Sequence, residues 1–193
     1  RGPLTRRIYI ENGVDCPEIY GDPALLLPLI YTPSKIIKKY KFGILPHYID
    51  VDSEWIQQQK KRNDTLFIDI MIDIMIFDDY KKFADELNSC EVIVTSSLHG
   101  LILSHAYQIP VKRVKFSDNL TGGDFKFNDY LLSVGKEMES PIHIADAFLE
   151  IESLEFDNKP INFDAKPLIL NCPFLNSTKK DELLQKSIYY ENT

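Results

Sequence analysis

The stretch EVIVTSSLHGLILS, Glu91 to Ser104, decides the fold. Val92, Ile93, Val94 and Thr95 make an apolar, β-branched run that stops at two serines, and Leu98, His99 and Gly100 open an amphipathic run reaching Gln108. The pattern is a strand, a tight turn and a helix. In an open α/β sheet such a turn lies at the carboxyl end of a strand, where helix N-terminal amides point into a ligand crevice and favour an anion. Ser96 and Ser97 suit capping of that helix or binding of phosphate or carboxylate oxygens, and His99 suits a proton step near neutral pH. A plainer reading stands beside it, with Ser96 as an N-cap and His99 as a polar residue of the first helical turn.

Outward from this stretch the periodicity repeats. Lys41 to Ile49 reads as a first strand ending in a Pro-His pair, Ser53 to Arg62 as a helix, and Thr65 to Ile70 as a second strand. Asp78 to Ser89 is a helix with Tyr80, Phe83, Ala84 and Leu87 on one face, leading directly into the central strand. Val111 to Phe116 is another strand, Phe125 to Val134 a short helix, and Ile142 to Ile144 a last short strand. Asp146 to Leu154 and Thr178 to Tyr190 read as helices, while Phe156 to Pro173, with three prolines, has no clear assignment. Strands alternating with helices of this length imply a Rossmann-like, mostly parallel sheet with helices on both faces. Before it, Pro3 to Asn12 reads as a helix and Cys16 to Pro28 as an irregular, proline-rich wall in which Asp22 turns or caps the chain. The expected organisation is therefore a helix and linker over 1–39 and the sheet-bearing lobe over 40–193.

Composition narrows the partners. The chain of 193 residues is 44% hydrophobic and 26% charged, with a formal charge of −7, so it has the make-up of a globular protein and lacks the basic stripe that nucleic acid requires. The basic clusters Lys38, Lys39, Lys41 and Lys60, Lys61, Arg62 read as solvated faces. Cys16, Cys90 and Cys172 are scattered with no Cys-x-x-Cys spacing, which suggests reduced thiols in a cytoplasmic protein. No apolar stretch approaches the roughly 18 residues of a membrane span, because Leu66 to Phe77 is broken by Asp69 and Asp73. The dispersed histidines match no metal spacing, so no metal is assigned.

Three ordered blocks carry a family resemblance. TSSLHGLILSHAYQIP (Thr95 to Pro110) resembles the signature of the polysaccharide pyruvyl transferase family. RGPLTRR with YGDPALLLP (Arg1 to Arg7, Tyr20 to Pro28) is similar to the segment where that family leaves its first domain. GGDFKFNDYLLSVG (Gly122 to Gly135) resembles its Lys-Phe-x-Asp-Tyr block. The resemblance implies one lobe of a glycosyltransferase-B type fold, with an upstream lobe absent from this chain. It also implies transfer of pyruvate from phosphoenolpyruvate to a sugar of a bacterial cell-surface polysaccharide or exopolysaccharide, as a ketal.

It further implies no cofactor beyond phosphoenolpyruvate as donor, a lipid-linked or free oligosaccharide as acceptor, and a cytoplasmic or inner-membrane-face location. His99 falls where the family's motif has its functional histidine, and Arg1 matches the arginine of its Arg-Gly-Pro segment, whose forked guanidinium suits a carboxylate or phosphate. Ser97 departs from relatives that carry a basic residue before Leu-His, so the missing positive charge falls to Arg1, Lys126 or the other lobe. Ser96, Ser97 and Gly100 complete the expected donor clamp.

Four further candidates come from the residues themselves. His47 ends the first strand on the crevice side. Gly122 and Gly123 let backbone amides approach a ligand, and Lys126 adds a charge; the same residues also read as a surface loop. His105 and Trp55 read as packing residues. A nucleotide-sugar glycosyltransferase lobe, or a non-catalytic binding domain on the same scaffold, is the alternative function.

Overall fold

The computed structural model describes residues 2–69, 79–118, 121–144 and 149–191. Among them five strands, β1 (Tyr40–Leu45), β2 (Thr65–Phe67), β3 (Cys90–Thr95), β4 (Val111–Lys115) and β5 (Ile142–His143), form a sheet in the order β2-β1-β3-β4-β5. Every pairing is parallel. The helices are α1 (Pro3–Glu11), α2 (Leu27–Ile30), α3 (Glu54–Gln59), α4 (Asp79–Asn88), α5 (Leu98–Ala106), α6 (Phe125–Ser133), α7 (Ala165–Leu170) and α8 (Ser177–Glu191). The parallel, Rossmann-like reading therefore stands.

Strand alternation explains the layers. Phe42, Ile44 and Val94 point to one face, where they meet Trp55 and Ile56 of α3 together with Ile151 and Leu154. Leu45 and Ile93 point to the other, against Phe83, Ala84 and Leu87 of α4, Leu101 and Ile102 of α5, and Phe127 and Tyr130 of α6. A third cluster joins Leu26 and Leu29 to Ile169 of α7 and Leu183 of α8. Each fully buried aliphatic or aromatic side chain contributes about 1.5–3 kcal/mol. Both faces of the central strand are thus covered, which a parallel sheet requires.

Several boundaries differ from expectation. Strand β1 stops at Leu45 because Pro46 follows, and His47 caps a short 3-10 turn at Tyr48–Asp50. The helix expected over 146–154 is not there in its described part: the chain is extended at Glu150 and makes only a 3-10 turn at Ile151–Ser153. The Trp55 indole donates to the Leu149 carbonyl at 2.7 Å, an oxygen that a continuous helix would use internally. Beyond it, Asp157 pairs antiparallel with Val111. The unassigned proline-rich region contains α7, whose first turn is capped by Asp164 accepting from the Lys166 amide at 2.8 Å. The Asp-Ile-Met-Ile repeat lies, beyond Asp69, outside the described residues. No helix among the described residues is long and apolar enough to cross a membrane.

Candidate active site

The site grows from the end of β3. Thr95 sits wholly buried and its hydroxyl donates to the Leu45 carbonyl at 2.6 Å while accepting from the Ser97 amide at 3.0 Å. This locks the strand end to β1 and bends the chain into α5. Gly100 lies against that hydroxyl: a Cβ there would stand 2.2 Å from Thr95 Oγ1 and 2.9 Å from Leu45 Cδ2. The glycine therefore serves close packing of helix on strand.

The two serines divide their work. Ser97 holds the N-cap position with extended backbone, but its side chain makes no capping bond and is buried. Ser96 is completely buried, donates to Asp50 Oδ2 at 2.7 Å and accepts from the His47 amide at 3.0 Å. Asp50, only 3% exposed, also accepts from Ser117 Oγ at 3.2 Å. One carboxylate thus ties together the ends of β1, β3 and β4. The Ser96 hydroxyl is thereby committed to holding the turn, and the first-turn amides of α5 are groups suited to an anion.

His99 stands on that first turn, exposed, with no hydrogen bond to a described residue. His47 is half-buried at the end of β1, its Nδ1 accepting from the Ile49 amide at 3.4 Å and its ring 4.4 Å from that of Tyr48. Burial holds its pKa below the ordinary imidazole value, the nearby Lys126 ammonium lowers it further, and Asp50 opposes both. Lys126, on the first turn of α6, donates to the Thr121 carbonyl at 3.0 Å. Its charge is therefore felt at the end of β1. Gly122 and Gly123 are exposed with φ of 81° and 43°, a conformation favouring glycine. Arg1 lies outside the described residues.

Two residues escaped sequence reasoning. Arg113 is 3% exposed; its guanidinium lies 3.8 Å from the Phe127 ring centroid, pairs with Asp124 and donates to the Glu139 carbonyl at 3.3 Å. Burial lowers its pKa. It anchors the segment that follows the glycine pair. Strand parity held the signal, since Arg113 shares a face with Val111 rather than alternating outward. The other residue is Asp50, which sits in no motif and is recognisable only through its hydroxyl partners.

Two motif blocks meet beside the first turn of α5, where Asp129 lines a small pocket with Leu98 and Lys126. Asp129 of α6 accepts from the Gly2 amide at 3.1 Å, from the Leu4 and Thr5 amides at 2.8 and 3.1 Å, and from Thr5 Oγ1 at 2.5 Å. The carboxylate of the Lys-Phe-x-Asp-Tyr block is therefore the N-terminal cap of α1. Asp22 likewise caps its own turn, accepting from the Ala24 amide at 3.0 Å.

A cavity of about 560 Å³ is elsewhere. It lies at the far end of α5, lined by Leu25, Leu29, His105, Ile109, Asp157 and Phe163 among others. The carboxyl edge, by contrast, carries the α5 N-terminus with His99, and His47 at the end of β1. No group of three His, Cys, Asp or Glu side chains among the described residues is arranged to hold a metal.

A parallel sheet whose central strand turns into a helix with a histidine on its first turn defines an α/β fold of the Rossmann-like class. Comparison with known proteins is more specific: the polysaccharide pyruvyl transferase family model matches residues 1–111, and the chain belongs to that family. An uncharacterised protein of Acanthamoeba polyphaga mimivirus is 37% identical over 178 residues, which covers 87% of this chain and 56% of that protein. The chain thus spans little more than half the length of that relative. No solved structure matches.

Proposed function

We propose that the protein acts in polysaccharide biosynthesis by moving the pyruvyl group of phosphoenolpyruvate onto two hydroxyls of one sugar, forming a ketal and releasing phosphate. The observation that carries this reading is His99. It is the imidazole of the motif lying within the family match, and it stands exposed at the carboxyl end of the central strand.

Protonated His99 delivers a proton to the methylene carbon of the enol, and the adjacent carbon becomes electrophilic. A sugar hydroxyl attacks that carbon and gives its proton to the now neutral imidazole. A second hydroxyl then displaces phosphate, which departs with that hydroxyl's proton. The first-turn amides of α5 and Lys126 face the donor's anionic groups. Arg1 supplies the forked cation that the family resemblance assigns. Asp50 keeps the turn in place by holding Ser96 and Ser117. The acceptor is a free or lipid-linked oligosaccharide, and the donor half-site is completed by chain beyond the residues described.

The test is incubation of the full-length protein with phosphoenolpyruvate and a panel of oligosaccharides. Phosphate release should match the appearance of a ketal methyl signal in the carbon NMR spectrum. Binding of a uridine or guanosine diphosphate sugar, without response to phosphoenolpyruvate, would replace this reading with glycosyl transfer on the same scaffold.

A further inference from the structure

The edge of the sheet opposite the crevice carries a surface that neither the fold nor the proposed reaction uses. The chain has a formal charge of −7, yet the segment entering β1 reads Lys35-Ile36-Ile37-Lys38-Lys39 and is exposed throughout. Ile36 is 51% and Ile37 49% exposed, and Ile30 at the end of α2 is 56% exposed. About half of each of these side chains is left in water by the packing of this chain.

The pairing of β1 with β2 adds a second cluster to the first. The Lys41 and Phe42 amides both donate to the Asp64 carbonyl. Across that junction the Lys41 ammonium and the Arg62 guanidinium stand 5.0 and 5.4 Å from the centroid of one ring, Phe42. Lys60 and Lys61 precede Arg62 and are exposed. The acids at this edge are partly committed, since Asp64 and Glu152 pair with Arg62. Glu91 acts on Lys38, whose ammonium donates to the Cys90 carbonyl at 2.7 Å. The side chains of Lys35, Lys39 and Lys61 have no ion pair or hydrogen bond with a described residue.

We propose that this edge docks on an anionic lipid bilayer, with Ile36 and Ile37 entering the headgroup boundary and Lys35, Lys39, Lys41 and Lys61 contacting lipid phosphates. The mixture of residues selects the bilayer. Lysines alone would suit any acidic macromolecule, but two half-exposed isoleucines set among them need an apolar layer directly beneath a negative one. The lysine stems can lie along that layer while the ammonium groups stay at phosphate level. Strand β1 is six residues long, so the crevice faces away from the bilayer at a height of about 20 Å. An acceptor still attached to its lipid would then reach His99 only with several sugars between the lipid and the modified residue.

Co-sedimentation of the full-length protein with vesicles tests this. The vesicles are phosphatidylcholine alone, or phosphatidylcholine with roughly a third phosphatidylglycerol, at low and high salt. Binding is expected on the anionic vesicles and should be about tenfold weaker on the neutral ones. The pairs Ile36→Ser with Ile37→Ser, and Lys35→Glu with Lys39→Glu, should each weaken it about tenfold or more, with circular dichroism and melting temperature unchanged. Absence of binding to anionic vesicles overturns the proposal. So does an isoleucine variant that binds like the parent, which would instead assign the lysines to an acidic macromolecule.

Discussion

Helix α5 carries a histidine near each end, and the two ends have opposite chemistry. His99 is exposed beside the free amides of the first turn. His105 is 7% exposed and accepts or donates through Nδ1 to Tyr130 Oη at 2.9 Å, while its Nε2 has no partner among the described residues. Burial drives the His105 pKa down to about 4, the Lys136 ammonium adds to this, and Asp157 opposes it. The lesson is that position along the strand-helix unit decides a histidine's surroundings. At the carboxyl edge it is open to water; one turn before the next strand it is core.

The largest effect that would break this contrast comes from His99→Ala. Turnover should fall by about 10²–10⁴, with stability within about 0.5 kcal/mol of the parent. Steady-state phosphate release and a urea melt measure the two. Unaltered turnover would move the proton step away from α5.

At the other end the expected signal is stability against pH. The folded His105 pKa lies below the unfolded value near 6.5, so between pH 6.5 and about 4 the unfolded chain binds more protons and stability falls as pH falls. The loss should reach on the order of 3 kcal/mol at the lower limit, and His105→Gln should flatten that part of the profile. A profile unchanged by the substitution would contradict the buried, neutral assignment.

A smaller effect sharpens the boundary between chemistry and scaffold. Asp129→Ala removes the cap of α1 and should cost about 2 kcal/mol in denaturant melts, with turnover changed far less than by His99→Ala. Smallest of all, His143→Ala at the exposed end of β5 should alter stability by no more than about 0.5 kcal/mol.

Much of this arrangement was legible in the chain. The β-branched run ending in Thr95, the serines and the helical spacing after them placed the central strand-turn-helix. Alternation elsewhere placed the neighbouring strands to within a few residues. Trp55 and His105 read as packing residues from the sequence, and both are buried. The helix expected over 146–154 shows the limit: in its described part the chain makes only a 3-10 turn, and the Leu149 carbonyl accepts from Trp55, distant in sequence. The basic clusters before β1 and β2 read as solvated faces, and their lysines are exposed; that the two share one edge follows from the pairing of β1 with β2.

The sequence by itself determined the repeating strands and helices, the parallel class and the turn that bears His99, since these rest on periodicity and local capping, which act over a few residues. Only the tertiary structure decided that Ser96 answers to Asp50, that Arg113 is buried beneath Phe127, that Asp129 holds the first helix, and that two lysine clusters share one edge. Those outcomes depend on desolvation and on contacts between strands far apart in the chain, and no local pattern encodes them.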